Sequence, residues 1–282
     1  MRTVVFGAKG QLGRDLVARF RQDDEVLGVD LPEVDIADAR AVESVVQAFC
    51  PDRVINAAAY TDVEGAEDDE GGAFRVNQAG ARHVAVAAAE HLIPVVYYST
   101  DYVFDGTKQS PYEPDDPIMP LCVYGRSKAA GEAATQSANP RHFIVRTAWL
   151  YGPGGNNFVE KILRWAASRP SLKVVSDEVG SPTHTWDLAE ATAALCRTAE
   201  FGVYHAVNAG PCSRDAFARA ILKCAGSEAA VVECSSSEFP TKARRPAYSV
   251  LSNVRLERRI GHVMRSWEEA IEAYMKRRRS QE

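Results

Sequence analysis

The first thirty residues constrain the fold more than any other part of the chain. The segment Thr3–Phe6 predicts a short buried strand that runs into a turn with Gly7, Gly10 and Gly13, and a helix opens at Gln11. Such a turn lets the backbone approach a pyrophosphate closely, and the helix start points its free N–H groups and positive dipole end at the anion. The spacing G-x-x-G-x-x-G is a variant of the dinucleotide-binding fingerprint. This segment therefore predicts a strand, turn and helix that bind a dinucleotide.

A second predicted strand, Glu25–Asp30, ends in an acid about twenty residues after the turn. In dinucleotide-binding folds an acid at this place accepts hydrogen bonds from the ribose hydroxyls. A carboxylate there favours a free 2′-hydroxyl and repels a 2′-phosphate, so Asp30 favours NADH. Lys9 and Arg14 lie beside the turn and are placed to neutralise an extra phosphate. The residues alone leave the choice between NADH and NADPH open.

Strand and helix patterns alternate through the first half of the chain. Predicted helices cover residues 39–50, 70–91 and 123–137, and predicted strands cover 53–56, 95–98 and 143–146. Alternation of this kind requires right-handed crossovers and a parallel sheet covered on both faces. We therefore predict an α/β fold with a Rossmann-type doubly wound parallel sheet. Its ligands bind beyond the carboxyl ends of the strands, so Gly7, residues 57–61 and residues 99–102 should converge on one crevice that includes Thr100.

The pattern changes after Tyr151. Residues 152–157 are rich in helix and strand breakers, and the predicted elements that follow are shorter. One more helix over 186–198 and one more strand over 203–208 are predicted to return to the sheet. We predict a dinucleotide-binding domain made of residues 1–150 and about 184–208, with a smaller C-terminal substrate lobe made of about 151–183 and 209–282.

Composition and charge exclude several classes of function. The chain has 282 residues, of which 46% are hydrophobic and 25% charged, values ordinary for a globular protein with a large core. The net charge of −5 gives no support for nucleic-acid binding, and the basic stretch Lys276–Arg279 is typical of a solvated helix end. No apolar run is long enough for a membrane span, so we expect a cytoplasmic protein without a membrane or nucleic-acid partner. The six scattered cysteines predict free thiols rather than structural zinc.

Tyr124 and Lys128 form the candidate catalytic pair. Because they are four residues apart, they lie on one face of the predicted helix. A free tyrosine, with a pKa of about 10, transfers protons poorly at neutral pH, and a neighbouring ammonium group lowers that pKa. A Y-x-x-x-K match also occurs on solvated helix faces, so the pair gains its weight from the dinucleotide-binding context.

Several stretches resemble the extended short-chain dehydrogenase/reductases, and within them most closely the dTDP-4-dehydrorhamnose reductases. They span essentially the whole chain: Gly7–Gly13, Asn56–Ala59, Ser99–Gly106, Tyr124–Lys128, Arg146–Gly152 and Ala243–Pro246. The resemblance implies reduction of the C4 ketone of dTDP-4-dehydro-L-rhamnose, a sugar nucleotide, by hydride from a nicotinamide cofactor. It implies NADPH as that cofactor, with NADH also accepted, and a homodimer as the assembly.

The same resemblance implies roles for individual residues. Tyr124 is the acid, Lys128 lowers the pKa of Tyr124 and holds the nicotinamide ribose, and Thr100 hydrogen-bonds the carbonyl oxygen. The cofactor-binding residues are Gly7, Gly10, Gln11, Leu12, Gly13, Asp30, Asp35, Ile36, Ala58, Ala59, Tyr60, Tyr98, Tyr124 and Lys128. The substrate-binding residues are Thr100, Asp101, Trp149, Asn157 and Arg244. Arg245 is a second arginine suited to gripping a diphosphate. A core position for Trp149 and surface ion pairs for the two arginines are the alternatives.

We assign no metal ligands. The acidic run from Asp62 to Glu70 is interpreted as a helix start, where negative side chains complement the dipole. The resemblance implies magnesium (Mg²⁺) at a dimer contact in some relatives, and Asp15 lies near the position of one acidic ligand, but no full set of ligands is traceable. Five histidines without ligand spacing are interpreted as structural: His83, His142, His184, His205 and His262.

Three other functions remain open. A sugar-nucleotide epimerase or dehydratase shares the fold and the Tyr/Lys pair, but the dehydratase acid pair is replaced after Thr100 by Asp101 and Tyr102. A non-catalytic NADP-binding regulatory subunit of the same superfamily would bind nucleotide without turnover. A reductase of another deoxysugar pathway would differ only in residues of the substrate lobe.

Overall fold

Within residues 1–279, the strands form one large sheet and three small ones. The computed structural model describes residues 1–279. In chain order its strands are β1 (Arg2–Phe6), β2 (Glu25–Val29), β3 (Arg53–Asn56), β4 (Val95–Thr100), β5 (His142–Thr147), β6 (Leu150–Tyr151), β7 (Ser171–Val175), β8 (Val179–Gly180), β9 (Thr183–His184), β10 (Gly202–His205), β11 (Cys212–Ser213) and β12 (Ala230–Cys234).

The large sheet has six parallel strands in the order β10-β5-β4-β3-β1-β2. The order reverses between β1 and β3, which pair with Phe6 opposite Asn56. A reversal of this kind opens a crevice beyond the carboxyl ends of the two strands, where ligands of open α/β sheets bind. The prediction of a Rossmann-type doubly wound sheet is confirmed, and the strand predicted over 203–208 returns to the sheet as β10.

The helices follow the predicted alternation. They are α1 (Gln11–Phe20), α2 (Ala39–Phe49), α3 (Val63–Asp68), α4 (Glu70–Phe74), α5 (Ala81–Glu90), α6 (Val123–Ala138), α7 (Phe158–Ala166), α8 (Thr185–Leu195), α9 (Arg214–Ala225), α10 (Val254–Ile260) and α11 (Trp267–Arg279). Between α4 and α5 the helix predicted over 70–91 contains a π-helical turn, Arg75–Gly80. No helix within residues 1–279 is both long and apolar enough to cross a membrane.

Helices cover both faces of the large sheet. Successive strand residues point to opposite faces, so Val5 packs against α1 and α8, whereas Val4 packs against α2 and α5. Both valines are fully buried. Helices cover both faces of the sheet. A binding site can therefore form from the polar groups at the carboxyl ends of the strands.

The segments after β5 build a second core beside this edge. The strand β12 runs parallel to β7, β6 pairs with β9, and β11 pairs with β8. Their apolar side chains pack with α7, α9 and α11 around Tyr151, Phe217 and Trp267. The loop 152–157 connects β6 to α7 and lies against the glycine turn, since Gly155 approaches the side chain of Gln11.

A buried ion pair joins α6 to the sheet. Nε and Nη2 of Arg146 on β5 each donate a hydrogen bond to the carboxylate of Glu132 on α6, at 2.9 and 2.7 Å, and both side chains are at most 4% exposed. Arg146 also donates to the carbonyl oxygen of Pro114 at 3.0 Å.

His205 lies beside this ion pair. Burial first, and the charge of Arg146 with it, lowers the pKa of His205 to about 3, so this histidine is neutral, which agrees with a structural role.

We expect Arg146→Met to destabilise the protein by roughly 3–5 kcal/mol, because it leaves the Glu132 carboxylate buried and unpaired. The double variant Arg146→Met/Glu132→Leu removes both charges and should regain most of that loss. Urea unfolding of the two variants and the wild type measures the difference. Equal stability of the single and double variants would show that the unpaired charge is not what destabilises the protein.

Candidate active site

The glycine turn is shaped by two close approaches of the backbone. Gly7 has φ +80°, and a Cβ atom there would lie 2.5 Å from the nitrogen of Ala58. A Cβ atom at Gly13 would lie 2.0 Å from the carbonyl oxygen of Gly7. Only glycine fits at either place. The end of β1, the segment after β3 and the start of α1 are therefore in direct contact, as the sequence predicted.

The start of α1 has the features of an anion-binding site. Gly10 caps the helix without a side-chain hydrogen bond, and the first turn contains no acidic residue. The first N–H groups of a helix have no partner within the helix and carry the positive end of its dipole. Leu12 packs in the core beneath the turn, where it fixes the helix position. These features fit the pyrophosphate of a dinucleotide.

Asp30 follows β2 and organises the turn. Its carboxylate accepts hydrogen bonds from the backbone N–H of Lys9 at 2.7 Å and of Leu31 at 2.8 Å, one on each oxygen. Each oxygen keeps a further lone pair for a ribose hydroxyl. Lys9 pairs with Glu33 at 2.6 Å, and Arg14 donates to the carbonyl of Lys9 at 2.9 Å. Lys9 and Arg14, which were predicted to neutralise a 2′-phosphate, thus already bind other groups of the protein.

Asp35 and Ile36 lie on the loop after β2. Asp35 accepts from the N–H of Ala37 and pairs with Arg75 at 3.0 Å. The Ala37 bond first, and the Arg75 charge with it, hold the pKa of Asp35 below its usual range. The side chain of Ile36 is buried against Gly80, where a Cβ atom would lie 2.7 Å away. The π-helical turn that carries Gly80 therefore helps to position the loop.

Asn77 is a polar link that sequence reasoning missed. It is 1% exposed and lies in the π-helical turn. Its amide accepts from the N–H of Tyr60 at 2.9 Å and donates to the carbonyl of Tyr60 at 3.1 Å and to the hydroxyl of Ser127 at 2.9 Å. Ser127 in turn donates to the carbonyl of Tyr124 at 2.8 Å. One side chain thus connects the predicted cofactor loop at residues 58–60 to the helix of the catalytic pair.

Tyr98 differs from its predicted role. Its ring lies in the core between the sheet and α8, and its hydroxyl hydrogen-bonds Thr192 at 2.7 Å. Since residues of a strand alternate between faces, this side chain faces the helix layer rather than the crevice. Any contact of Tyr98 with a nucleotide would involve its main chain.

Thr100 and Tyr124 meet at the carboxyl edge of β4. The N–H of Tyr102 donates to the Thr100 hydroxyl at 3.2 Å, and that hydroxyl donates to Asp101 at 3.0 Å. Burial raises the pKa of Tyr124, the neighbouring Thr100 acts to lower it, and the nearby Asp101 raises it. Tyr124 lies in the first turn of α6, whose first N–H, that of Val123, donates to Glu67 at 2.7 Å. Thr100 at the end of β4 and Tyr124 at the start of α6 thus lie at the same edge of the sheet.

Lys128 lies one turn further along α6. It is 3% exposed, and its Nζ is 4.1 Å from the centre of the Tyr97 ring. Burial lowers the pKa of Lys128 to about 7, although Glu132 acts to raise it. The pKa of Tyr124 is raised rather than lowered as predicted from Lys128, because burial has the largest effect on it.

Trp149 is held in a strained position by its neighbours. It has φ +47°, which is rare for an aromatic residue and needs support from the surrounding structure. The guanidinium of Arg214 lies 3.4 Å from the centre of one of its rings, and Arg214 pairs with Glu178 at 3.3 Å. The Trp149 ring also fills the space beside Gly180. The ring face under Arg214 is therefore covered by protein.

The other predicted substrate residues occupy different environments. Asn157 caps α7 through its oxygen and donates to Gln11 at 2.8 Å and to the carbonyl of Gly152 at 3.1 Å, which uses both amide hydrogens. Arg244 is exposed, whereas Arg245 pairs with Glu64 at 2.8 Å. Asp101 is 2% exposed, so its carboxylate lies behind the crevice surface.

Asp15, the acid near the proposed magnesium position, contacts side chains of the protein. Asp15 is 1% exposed; it accepts from the hydroxyl of Thr185 at 2.6 Å and pairs with Arg277 at 2.8 Å. Both carboxylate oxygens are thus engaged. Within residues 1–279, no group of three or more His, Cys, Asp or Glu side chains is placed to hold a metal ion. The acidic run forms helix starts, since Asp62 and Asp69 cap α3 and α4.

Comparison with known proteins places the whole chain in one family. A family model described as the RmlD substrate binding domain matches residues 1–280. The chain is 41% identical over 281 residues to a dTDP-4-dehydrorhamnose reductase of Sinorhizobium fredii, which covers 96% of this chain and 95% of the relative. The chain belongs to the dTDP-4-dehydrorhamnose reductase family. This membership confirms the resemblance found in the sequence.

Two further proteins are similar to this chain over almost its whole length. The chain is 40% identical over 280 residues to the spore coat polysaccharide biosynthesis protein SpsK of Bacillus subtilis, covering 99% of this chain and 98% of the relative. The crystal structure of dTDP-4-dehydrorhamnose reductase from Bacillus anthracis in complex with NADP matches with a TM-score of 0.96 and 38% identity. It covers 98% of this chain and 99% of that chain.

Three residues of the site lie outside the motifs of the family resemblance: Asn77, Arg214 and Ser249. Each reaches the site from a segment distant in sequence from the residues that it contacts. Ser249 donates to Asp101 at 2.6 Å, across 148 positions of the chain. The nearest sequence signal is the stretch Ala243–Pro246, which brings the segment of Ser249 toward the site but does not identify the residue.

We expect Asn77→Ala to lower the free energy of unfolding by about 1–3 kcal/mol, because the N–H and carbonyl of Tyr60 lose their side-chain partner and the Ser127 hydroxyl keeps only its bond to Tyr124. Turnover should fall as well, since the helix of Tyr124 loses its link to the cofactor loop. Gln78→Ala, at an exposed position of the same turn, is the matched control and should change neither quantity. Urea unfolding and steady-state kinetics measure both. Wild-type stability of Asn77→Ala would refute the role of this link.

Proposed function

We propose that the protein reduces the C4 ketone of dTDP-4-dehydro-L-rhamnose to dTDP-L-rhamnose with NADPH. One observation carries the proposal. In a chain of this family, Tyr124 and Thr100 lie near each other at the carboxyl edge of the sheet, on the same edge as the glycine turn, and Lys128 follows one turn further along α6. This arrangement offers two hydroxyl groups to one ketone oxygen at the place where a dinucleotide binds.

Tyr124 supplies the proton. A ketone that receives hydride develops negative charge on its oxygen, and a donor aimed at that oxygen stabilises the charge and transfers a proton. Burial raises the pKa of Tyr124, so its phenol is protonated at neutral pH. Thr100 lies near the phenol and is proposed to contact the same ketone oxygen. The two hydroxyls thus hold the ketone in one orientation.

Lys128 is proposed to hold the nicotinamide ribose rather than to act mainly on the phenol. Its Nζ lies over the Tyr97 ring and carries a pKa of about 7. A buried lysine amine is protonated more readily when polar oxygens accept hydrogen bonds from it, because such bonds favour the charged form. The pKa of Lys128 should therefore rise when the ribose hydroxyls are bound, and its effect on Tyr124 should increase at that point.

NADPH is proposed as the main cofactor, with NADH also accepted. When bound, the dihydronicotinamide supplies the hydride. The start of α1 binds the pyrophosphate, and Asp30 keeps acceptor capacity for ribose hydroxyls, which suits NADH. NADPH is supported by the relative of Bacillus anthracis, whose structure contains NADP. Gly7, Gly10, Gln11, Gly13, Ala58, Ala59 and Tyr60 line the same edge and complete the proposed cofactor site.

The diphosphate of the substrate is proposed to bind near Tyr102. The charges of Arg245 and Arg214 both act to lower the pKa of Tyr102, so the two guanidinium groups lie on the same side of the crevice as this phenol. A diphosphate carries the opposite charge, and guanidinium groups bind phosphate oxygens in pairs. Arg244 is exposed and joins this proposed set. Trp149 is proposed to contact the sugar with the edge of its ring that the protein leaves uncovered. Asn157 is proposed to affect substrate binding indirectly, through its contacts with Gln11 and with the loop after β6.

Three further expectations stay predictions: a substrate lobe made of 151–183 and 209–282, a homodimer, and a cytoplasmic location. The lobe prediction agrees with a separate apolar core around Tyr151 and Phe217, and residues 280–282 lie outside the described part of the chain.

A product assay tests the proposed function. The purified protein is incubated with dTDP-glucose, the two preceding enzymes of rhamnose synthesis, and either NADPH or NADH. We expect dTDP-L-rhamnose and stoichiometric cofactor oxidation. A different reduced sugar would indicate another deoxysugar pathway, and a rearranged sugar without net oxidation would indicate an epimerase. Tight NADPH binding without any product would indicate a regulatory subunit.

We expect Tyr124→Phe to lower kcat by about 100-fold or more with NADPH affinity nearly unchanged, because only the proton donor is lost. Tyr204 lies on the edge strand β10, and its hydroxyl donates to the carbonyl of Glu200. Tyr204→Phe removes this hydroxyl and should keep wild-type turnover. Steady-state kinetics and cofactor titration measure both variants. Wild-type kcat in Tyr124→Phe would remove this residue from the catalytic role.

We expect Asp30→Ala to weaken NADH binding roughly tenfold and NADPH binding less, because only NADH presents both ribose hydroxyls to the carboxylate. Glu33→Gln, which removes a nearby exposed charge that pairs with Lys9, is the control and should leave the ratio of the two affinities unchanged. Fluorescence titration of both cofactors gives the affinities. An equal loss for the two cofactors in Asp30→Ala would exclude Asp30 from the ribose site.

A further inference from the structure

The backbone turns from the large sheet to the second core at Trp149. This residue lies between β5 and β6, and it has φ +47°. Its carbonyl oxygen accepts the N–H of Thr183 at 3.3 Å, which helps to hold the turn. A left-handed backbone is unfavourable for a residue with a Cβ atom, so a tryptophan there depends on support from its surroundings.

Arg214 supplies part of this support. Its Cζ lies 3.4 Å from the centre of a Trp149 ring and 5.5 Å from the centre of the Phe158 ring. At the shorter distance the planar guanidinium lies directly against the face of the indole. A cation over an aromatic face is attracted to it, and the attraction is stronger where water is largely excluded. The Arg214 side chain is only 14% exposed, so its contact with Trp149 is of this stronger kind.

Glu178 and Gly180 complete the support. The Glu178 carboxylate accepts a hydrogen bond from Nε of Arg214 at 3.3 Å, and it is 13% exposed, so the guanidinium has a partner of opposite charge that is largely out of solvent. A Cβ atom at Gly180 would lie 2.5 Å from the indole, so the ring of Trp149 packs directly against the backbone there. Residues of β8 and α9 thus hold a side chain that comes from the end of the large sheet.

The place of Trp149 in the chain connects this support with the proposed reaction. Trp149 follows the last residue of β5, Thr147, by two positions, and Thr147 is paired with Thr100 at the end of β4. The indole is therefore attached to backbone that begins beside the proposed ketone site. An indole that is held in one orientation limits how a sugar ring can lie against it, and correct orientation of a reactant lowers the barrier to its reaction.

We propose that Arg214 is a positioning residue: together with Glu178 it fixes the indole of Trp149 in the orientation that the sugar of the substrate contacts. This inference rests on the proposed function, in which the sugar binds at Trp149. It gives Arg214 a role in sugar binding that is separate from the proposed contact with the diphosphate.

Steady-state kinetics of Arg214→Met test this role, since methionine keeps an unbranched side chain but lacks the charge and the planar group. We expect KM for the sugar nucleotide to rise about tenfold, because the cation–π contact that fixes the indole is lost. The kcat value should fall less than about threefold, because the proposed proton donor, Tyr124, is unchanged. Arg219→Met removes an exposed arginine of the same helix that pairs with Glu233 at 2.7 Å, and it should keep the wild-type KM. An unchanged KM in Arg214→Met would overturn the proposal.

A double-mutant cycle separates this role from a direct contact with the diphosphate. Trp149→Leu removes the indole, so adding Arg214→Met to it should change KM by less than about twofold. An arginine that acted on the diphosphate alone would raise KM by the same factor with and without the indole, and that result would refute the positioning role. Arg214→Lys keeps a cation without the planar face and should give an intermediate KM. It replaces Arg214→Met in the cycle if the methionine variant does not fold.

A measurement without turnover distinguishes this proposal from the proposed function. The chain has four tryptophans, and fluorine NMR of protein labelled with 5-fluorotryptophan identifies the Trp149 signal by its absence in Trp149→Phe. We expect this signal to move in Arg214→Met but not in Arg219→Met, and to move in the wild type when dTDP-glucose is bound. A signal that stays in place in Arg214→Met, or that does not respond to bound dTDP-glucose, would contradict the inference even if the protein reduces the ketone. The expected signals in a protein without reductase activity would count only against the proposed function.

Discussion

The buried pair of Arg146 and Glu132 fixes the helix on which the site depends. Tyr124, Lys128 and Glu132 follow each other at four-residue spacing on α6, so they share one helix face. Glu132 attaches that face to β5 through two short hydrogen bonds from Arg146. A bidentate pair allows little rotation or sliding of the helix. The proposed catalytic hydroxyl therefore takes its position from a buried ion pair two turns away.

Low solvent exposure gives the site its chemical character. Burial raises the pKa of Asp101 to about 6 and lowers that of Lys128 to about 7. An acid near Tyr124 and a base one turn along its helix are thus each able to gain or lose charge near neutral pH. Small changes in hydration, such as the entry of a sugar nucleotide, are sufficient to change both charges. This sensitivity is a property of the whole crevice rather than of the Tyr/Lys motif.

The sequence predicted those parts of the fold that depend on local patterns. The strand over 53–56 has the predicted bounds, because its apolar residues are flanked by clear turn signals. The π-helical turn in the helix 70–91 was not predicted, because it leaves the pattern of helix formers unbroken. Tyr98 was assigned to the cofactor by its place in the chain, but strand alternation turns its hydroxyl to Thr192. Asn77 and Ser249 were missed because their partners are distant in sequence and only the fold brings them together.

The position of β10 in the large sheet has a consequence for how the chain folds during synthesis. β5 pairs with β4 on one side and with β10 on the other. Residues 148–201 separate β5 from β10, and a ribosome needs roughly 3–10 s to add them at about 5–20 residues per second. During that time an apolar strand, Phe143 to Val145, has an open edge able to pair with other chains. Slow synthesis between these strands should therefore favour aggregation, and a chaperone that covers the open edge should increase the yield of folded protein.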